Sequence, residues 1–494
     1  MKNIVKKLCI CISLSMVIAL TACGNTASNT VSTADTTDEV IQNSNIEETD
    51  SEKAQEAKAG DAEDKVTDAE GAENEQEAVE DSVEKEDAEF EASLKDNPAL
   101  RDCVNEKMGC RVGCAVTQSE LSDPKVFDIL TTHFDAVTFG NELKPDALFD
   151  YSCSICPGTY EDELNGEKIT VPKLTFGRAE SMLRKIRKWN EEHPDREIKV
   201  RGHVLVWHSQ TPEWFFHEDY KKKNDYVSKE EMDKRLEWYI KTVLEHFTGE
   251  NSEFKDMFYG WDVVNEAISD SNGGLRTDGE NPSESLSQDR HGSNSSWYHI
   301  YQSDEFIINA FKYANKYAPS DLELYYNDYN ETNLAKRNGI ADLLKAIKDA
   351  EGEPGEGTRI SGMGMQAHYG IDTPSFTDLE YSAKLYGQIV GNVQITEMDI
   401  KAGTDYDGSE ESKEAFNDKL KKRYGTLYYG LQSAANSGEC NVTGITFWGT
   451  VDQYSWLQTN SSVGGGNNTG LPQCPLLFDE NYLPKPCFYV FAQK

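Results

Sequence analysis

Basic residues are scarce in this chain of 494 residues, which holds 49 Lys and Arg against 87 Asp and Glu and carries a formal net charge of −38. A protein that binds nucleic acid or an anionic membrane surface uses clustered Lys and Arg to neutralise phosphate groups. The composition therefore argues against both as partners and favours a neutral substrate.

Aromatic residues are almost absent from residues 24–97, where Phe90 is the single example among 24 Asp and Glu and 5 Lys. Such a segment buries too little apolar surface to offset the entropy lost when a chain is ordered. We therefore predict that residues 23–97 form a disordered acidic tether, kept extended by charge repulsion and without a specific partner. One folded domain is expected over residues 98–494.

Apolar runs long enough to span a membrane are also lacking. The longest apolar run lies near the start of the chain, where Leu8 to Leu20 follows three lysines. This run is too short for a clear membrane span, and residues 1–22 have the pattern of a secretory signal peptide. "LTAC" before Gly24 resembles a bacterial lipobox, which implies a lipid on Cys23 and a place on the extracellular face of a bacterial membrane. Ordinary secretion, with Cys23 incidental, is the alternative.

A second C-x-x-C pair at zinc-site spacing is missing. Eleven cysteines are present, eight of them after Cys23, and only Cys153 and Cys156 form a C-x-x-C pair. An even number in an exported domain is compatible with disulfides, free structural thiols or a metal, and the sequence alone leaves these open. For catalysis we predict neither a metal nor an organic cofactor.

A glycine-rich phosphate loop is absent after the first strand-like run, which disfavours an open, doubly wound sheet. Short β-rich runs instead alternate with amphipathic segments, and eight such units predict an α/β fold, the (β/α)8 TIM barrel. The irregular stretches 151–173 and 269–296 follow strands and are expected at the barrel mouth. The candidate strands span 111–116, 134–140, 198–207, 258–265, 322–327, 360–366, 393–400 and 442–448, and the candidate helices 179–192, 234–247, 304–317, 333–350 and 412–435.

Seven consecutive candidate strands end in amide, imidazole, carboxylate or indole side chains. In a TIM barrel these carboxyl ends meet at one mouth. Amides, lysine and histidine hydrogen-bond hydroxyl groups, and indole rings stack on the apolar faces of sugars. Glu266 and Glu397 are the natural pair of carboxyl groups to flank a glycosidic bond, one protonated and the other ionised.

Six motifs carry a family resemblance. "GHVLVWHSQTPEW" (202–214), "WDVVNEA" (261–267), "YYNDYN" (325–330), "GMGMQAH" (362–368), "ITEMDI" (395–400) and "ITFWGTVDQYSW" (445–456) occur in this order. Together they resemble the motif set of family 10 glycoside hydrolases, the endo-1,4-β-xylanases, over residues 105–494. The resemblance implies a retaining xylanase whose partner is xylan or a xylo-oligosaccharide, acting as a monomer.

The resemblance also implies residue roles. Glu266 would be the general acid/base and Glu397 the nucleophile, with the carboxyl groups about 5–5.5 Å apart as in retaining enzymes. Asn265 would bind the 2-hydroxyl of the sugar, and His368 with Asp399 would orient Glu397. Substrate contacts would be made on the non-reducing side by Asn141, Lys144, His203, Trp207, Gln210 and Gln366, over the cleaved sugar by Trp448 and Trp456, and toward the leaving group by Asn327 and Tyr329.

One departure from the family pattern concerns strand two, where Gly140 stands in place of the usual glutamate. A contact to the second sugar on the non-reducing side is thereby missing, and Glu142 is the candidate replacement. A β-1,4-glucanase acting on cellulose or mixed-linkage glucan remains an alternative, and so does a non-catalytic, carbohydrate-binding surface lipoprotein. His203 and His208 have no metal-ligand spacing, and the three tryptophans have plain core packing as their alternative role.

Overall fold

A computed structural model of the chain describes residues 84–151, 154–286, 292–459 and 470–493. The predicted signal peptide, Cys23, Cys153, most of the tether and most of the glycine-rich stretch 464–470 lie outside these residues. The strands are β1 (Arg111–Val116), β2 (Ala136–Phe139), β3 (Thr159–Leu164), β4 (Glu167–Pro172), β5 (Lys199–Gly202), β6 (Val206–Trp207), β7 (Phe258–Asn265), β8 (Glu323–Asp328), β9 (Gly362–Met365), β10 (His368–Gly370), β11 (Asn392–Lys401) and β12 (Asn441–Phe447).

Eight of these strands close into a parallel barrel. The order around the ring is β1, β2, β5, β7, β8, β9, β11 and β12, with β12 paired again to β1. Helices cover the strands from outside, so a strand such as β11 is buried on both faces, including polar side chains such as Glu397 and Asp399. The predicted TIM barrel is confirmed.

The helices follow the strands in the alternating order that a parallel barrel requires. They are α1 (84–96), α2 (Leu100–Met108), α3 (Gln118–Ser122), α4 (Pro124–His133), α5 (Pro145–Leu148), α6 (Gly177–Glu192), α7 (Lys229–Thr248), α8 (Ser296–Tyr301), α9 (Glu305–Tyr317), α10 (Leu334–Asp349), α11 (Phe376–Val390), α12 (Glu410–Asn436), α13 (Trp456–Thr459) and α14 (Phe488–Phe491). Within the part of the chain that the structure describes, no helix is both long and apolar enough to cross a bilayer.

The five predicted helices are present, with ends displaced by up to five residues, and α4 and α11 were not predicted. Both begin with a sequence-encoded cap: Asp123 accepts a hydrogen bond from the N–H of Lys125 ahead of α4, and Ser375 accepts one from Asp378 at α11. The predicted strand 198–207 is divided, because residues 203–205 leave the ladder between β5 and β6.

The insertion over 151–173 folds into the antiparallel hairpin β3–β4. This hairpin packs on α7, where the indole N–H of Trp238 donates to Asp162 over 2.9 Å and the amide of Asn165 donates to Glu237 over 3.0 Å. Among its described residues, Tyr151 alone lines the large cleft at the barrel mouth. The insertion therefore packs mainly against the outside of the barrel and contributes little to the mouth.

The tether boundary predicted at residue 97 needs a correction, because residues 84–96 form helix α1. Phe90 is only 4% exposed and packs edge-on against Tyr482, with ring centroids 6.0 Å apart. A contact with a residue near the other end of the chain stabilises this helix, and no local pattern in an acidic segment announces such a contact.

Several cysteines are structural thiols. Cys110, Cys114, Cys440 and Cys487 are buried and free, and Cys156 of the C-x-x-C pair is also a free thiol. Burial raises the pKa of Cys110 and Cys487 to about 12; the charge of Asp135 adds to the effect for Cys110, whereas that of Lys485 opposes it for Cys487. Thiols with pKa values raised in this way are unreactive near neutral pH.

Candidate active site

A cleft of about 1040 Å³ opens at the carboxyl ends of the barrel strands. It brings together side chains from strands that are far apart in sequence but adjacent in the ring. Of the residues predicted from the sequence, it is lined by Asn141, Lys144, His203, Trp207, Gln210, Asn265, Glu266, Tyr329, Gln366, His368, Glu397, Trp448 and Trp456.

Glu266 sits on a sharp turn directly after β7. Its φ of 57° lies in the left-handed region, which costs free energy for a non-glycine residue. Hydrogen bonds hold this turn: the N–H of Glu266 donates to the Asn327 carbonyl over 2.9 Å, and the Glu266 carbonyl accepts from Arg276 Nε over 2.9 Å. The turn directs the carboxyl group into the cleft, where Trp207 Nε1 donates to Oε2 over 2.9 Å and Gln366 Nε2 donates to Oε1 over 2.9 Å.

Glu397, near the end of β11, is 5% exposed and held by a histidine–aspartate pair. His368 contacts Glu397 Oε2 through Nε2 over 3.1 Å and Asp399 through Nδ1 over 3.0 Å. Burial acts to lower the pKa of His368, but the charges and hydrogen bonds of Asp399 and Glu397 outweigh it and raise this pKa to about 10. The imidazole is therefore protonated near neutral pH and donates through both nitrogens.

The charge on Glu397 follows from these neighbours. Burial acts to raise the pKa of Glu397, but the His368 hydrogen bond, the fields of His203 and His368, and the Asn327 hydrogen bond together lower it to about 2. Glu397 is therefore a carboxylate over the whole physiological range. Asp399 is fully buried and also accepts a bond from Trp456 Nε1 over 2.7 Å, so it supports His368 from beneath the cleft.

Two side-chain amides link the carboxyl groups. Asn265 Nδ2 donates to Glu266 Oε1 over 3.1 Å, and Asn327 Nδ2 donates to Asn265 Oδ1 over 2.9 Å and to Glu397 Oε1 over 2.8 Å. Asn327 is fully buried and does not line the cleft. The predicted substrate contact of Asn327 is corrected accordingly: the β8 backbone directs this side chain inward, where it positions Asn265 and Glu397.

A buried lysine forms part of the cleft wall. Lys144 Nζ donates to Asn141 Oδ1 over 3.3 Å and to Gln210 Oε1 over 3.1 Å, and it lies 5.2 Å from the ring centroid of Trp207 and 5.9 Å from that of Trp448. Burial lowers the pKa of Lys144, although the surrounding carboxylates oppose this. An amine, two amides and two indoles thus face one stretch of the cleft, a combination that suits a neutral polyhydroxylated ligand.

His203 is anchored from below the cleft. Its Nδ1 contacts Asp262 Oδ2 over 2.9 Å, and Asp262 is itself paired with the buried Arg201. Arg201 in turn donates to Gln394 across the barrel interior. This buried network fixes the ring of His203 beside Trp448, with 5.6 Å between ring centroids.

The part of the cleft formed after β7 and β8 carries two charged residues that the sequence did not single out, Asp270 and Arg276. Tyr329 donates its hydroxyl hydrogen to Asp270 and accepts from Arg276 Nη2 over 3.3 Å. Lys336 Nζ contacts Asp270 over 2.9 Å and lies 3.6 Å from the Tyr329 ring centroid. Asp270 and Arg276 belong to the irregular segment after β7, where no strand-end pattern indicates which side chains return to the cleft.

The candidate replacement for the glutamate missing at Gly140 is not in the cleft. Both carboxylate oxygens of Glu142 accept backbone N–H bonds, one from Gln118 over 2.8 Å and one from Asn141 over 3.2 Å. Glu142 thus holds the loops after β1 and β2 together. Glu120 lines that end of the cleft instead.

Comparison with known proteins adds to this geometry. The family model described as "Glycosyl hydrolase family 10" matches residues 99–494. The chain belongs to family 10 of the glycosyl hydrolases. This confirms the family resemblance inferred from the six motifs.

Two curated relatives and one solved structure illustrate the match to family 10. The chain is 32% identical over 379 residues to the bifunctional endo-1,4-β-xylanase XylA of Ruminococcus flavefaciens. This alignment covers 76% of this chain and 32% of that protein. The chain is 31% identical over 399 residues to the β-1,4-xylanase of Dictyoglomus thermophilum, covering 81% of this chain and 92% of that protein. The chain spans about a third of the length of the first curated relatives it matches.

The solved family 10 structure is that of the Clostridium thermocellum endo-1,4-β-D-xylanase 10B modules in complex with xylohexaose. It aligns with a TM-score of 0.62 at 30% sequence identity, over 80% of this chain and 67% of that one. The barrel described above is thus the fold of that family 10 protein.

Proposed function

We propose that this protein is an endo-1,4-β-xylanase that hydrolyses internal linkages of xylan with retention of anomeric configuration. The observation that carries the proposal is the pairing of Glu266 with Glu397 in one open cleft, where His368 keeps Glu397 ionised. The names of the relatives, and the xylohexaose bound to one solved neighbour, support xylan as the substrate class.

The proposed reaction is a double displacement. A carboxylate oxygen of Glu397 attacks the anomeric carbon while Glu266 donates its proton to the glycosidic oxygen, so the C–O bond to the leaving sugar breaks and an ester forms. Water then gives a proton back to Glu266 and attacks the same carbon, which releases Glu397 as a carboxylate. In this proposal Asn265, whose Nδ2 donates a hydrogen bond to Glu266, binds the neighbouring 2-hydroxyl of the sugar.

A product analysis tests this proposal. Proton NMR of xylohexaose during hydrolysis is expected to show β-configured reducing ends first, before mutarotation. Glu397→Gln is expected to abolish turnover, while Glu323→Gln, at the opposite end of the barrel, keeps it. Initial α-configured products, or full activity of Glu397→Gln, would refute the mechanism.

The identity of the sugar is tested separately. Initial rates on beechwood-type xylan and on carboxymethyl cellulose distinguish a xylanase from a β-1,4-glucanase, and we expect xylan to be strongly preferred. Xylan binding without any hydrolysis would indicate the carbohydrate-binding lipoprotein instead.

We also propose that Cys23 carries a lipid that anchors the exported enzyme to the membrane surface. The support is the lipobox-like "LTAC" sequence after a short apolar run. Radiolabelled palmitate fed to cells that express the full chain is expected to label the parent protein and not Cys23→Ser. Equal labelling of both would remove the proposal.

A further inference from the structure

One end of the cleft is built by the loops that follow β1, β2 and β12. Thr117, Glu120, Gly140 and Tyr454 line it, and it lies across the site from Arg276 and Tyr329. Gly140 adds no side chain there, and the carboxylate of Glu120 accepts the backbone N–H of Thr117 over 2.5 Å. The end thus offers open space, one carboxylate and one aromatic ring.

The position of the Tyr454 ring depends on a hydrogen-bonded cluster behind it. Tyr454 Oη donates to Asp123 Oδ2 over 3.0 Å, and Tyr482 Oη donates to the same oxygen over 2.7 Å. Asp123 is fixed in turn because its Oδ1 caps helix α4 by accepting the N–H of Lys125 over 2.9 Å. The Tyr454 ring is thereby tied to Tyr482 through one carboxylate.

Helix α1 holds the other side of Tyr482. Phe90 packs on the Tyr482 ring at an interplanar angle of 69°. Lys125 Nζ lies 5.4 Å from the centroids of both rings and pairs with Asp87 of α1 over 2.7 Å. Helix α1 precedes the residues that match family 10, so this contact belongs to the chain's own N-terminal extension.

We propose that α1 is a positioning element for substrate binding: through Phe90 and Tyr482 it fixes the Tyr454 ring, which packs on a sugar several units away from the cleaved bond. This inference rests on the proposed function, since it concerns how the same cleft binds a long xylan chain. The hydroxyl of Tyr454 is already hydrogen-bonded, so the ring loses little conformational freedom when a sugar packs on it. Its contribution to substrate affinity therefore depends on how it is oriented beforehand.

Phe90→Ala tests the inference, with Glu89→Ala on the exposed side of the same helix as its matched control. The substrates are xylohexaose, which reaches the end of the cleft, and an aryl xylobioside, which does not. For Phe90→Ala we expect kcat/KM on xylohexaose to fall about two- to tenfold, mainly through a higher KM, as loss of one aromatic contact predicts. For Phe90→Ala, kcat/KM on the aryl xylobioside is expected to stay near the parent value. For Glu89→Ala, kcat/KM on both substrates is expected to do so.

A double-mutant cycle separates positioning from general stability. If Phe90 acts through Tyr454, then Phe90→Ala adds no further loss for xylohexaose in a Tyr454→Ala background. The inference would be overturned if Phe90→Ala left the ratio of kcat/KM on the two substrates unchanged. It would also be overturned if the losses of the two single variants were additive in the double variant. A parent enzyme inactive on both substrates would overturn the proposed function as well, whereas an active parent with an unchanged ratio rejects this inference alone.

Discussion

At the residue scale, the proposed mechanism depends on how Glu397 keeps its negative charge while it is buried. Its two oxygens are held by different donors, Asn327 on Oε1 and His368 on Oε2. Hydrogen bonds to a charged group are roughly twice as strong as those between neutral groups, so each donor stabilises the ionised form. Removing either donor is expected to change a different measurable quantity.

His368→Asn is expected to move the acid limb of the pH–rate profile. Glu397 has its pKa lowered to about 2, so its reactive carboxylate form persists until the pH falls through that value. Loss of the charged donor raises this pKa, and a bond worth about 1.5–3 kcal/mol corresponds to an upward shift of about one to two pH units. Measuring kcat/KM against pH checks this, with His193→Asn on the barrel exterior as control; an unmoved limb would contradict the assignment.

Asn327→Ala is expected to lower kcat more than it raises KM. Asn327 is buried under the cleft and holds both Asn265 and Glu397, so its loss disturbs the reacting groups without removing a wall contact. Loss of a hydrogen bond to a charged group predicts a decrease in kcat of about 10- to 100-fold. Steady-state kinetics on xylohexaose, compared with Asn330→Ala in the cleft wall, distinguish this result from a rise in KM alone.

A place in the cleft was predictable where a side chain stands directly after an apolar strand, as Glu266 and Gln366 do. It was not predictable for Glu120, Arg276 and Tyr454, which come from loops and short helices with no periodic signal. Asn327 shows the remaining difficulty: its place at a strand end is evident from the sequence, but the register of β8 decides that it faces inward.

At the element scale, the barrel interior leaves no room for even one methyl group behind the site. A Cβ at Gly364 in β9 would lie 2.3 Å from Asn327 Oδ1 and 3.1 Å from Arg201 Nη2. The close approach of β9 to this buried network therefore requires glycine.

Gly364→Ala is expected to destabilise the fold by about 1–3 kcal/mol and to lower activity, because the network under Glu397 must shift. Gly425→Ala is the matched control: it lies in α12 with nothing within 4 Å of the added Cβ, and it is expected to be neutral or to stabilise by up to about 1 kcal/mol. Urea denaturation of both variants measures the difference. Equal stability of the two proteins would contradict the packing described for β9.

Among elements, the barrel strands were the most predictable, because each falls in a short β-rich run between amphipathic segments. The hairpin β3–β4 was not predictable. The consecutive acidic residues Glu161, Asp162 and Glu163 hide the apolar–polar alternation that indicates a strand. Helix α1 was missed for a related reason: it lies in an acidic segment, and its stability comes from Phe90 contacting a residue nearly 400 positions away.

At the scale of the whole molecule, a segment near the end of the chain is fastened to the loop that follows β12. Lys485 Nζ bonds to Asp452 Oδ2 over 2.6 Å and to the Cys474 carbonyl over 2.8 Å, and the other Asp452 oxygen accepts the Leu476 N–H over 2.8 Å. Both charged residues are at most 5% exposed. This pair joins the loop after β12 to the segment that leads into α14.

Lys485→Met is expected to destabilise the protein by about 3–5 kcal/mol, because it leaves the Asp452 carboxyl buried without its partner. Lys413→Met, which removes an exposed pair with Glu480, is expected to change stability by less than about 1 kcal/mol. Thermal and urea unfolding measure both. A small effect for Lys485→Met would show that this buried pair does not stabilise the attachment of the segment to the loop after β12.

The amide bridge between Glu266 and Glu397 has a consequence for the full catalytic cycle. In the proposed double displacement, the hydrogen bonds of Asn265 and Asn327 would hold both carboxyl groups in place while one changes its protonation and the other forms an ester. On that proposal, the side chain that releases a proton in the first half-reaction is still in place to receive one in the second, and we expect successive turnovers to begin from the same geometry.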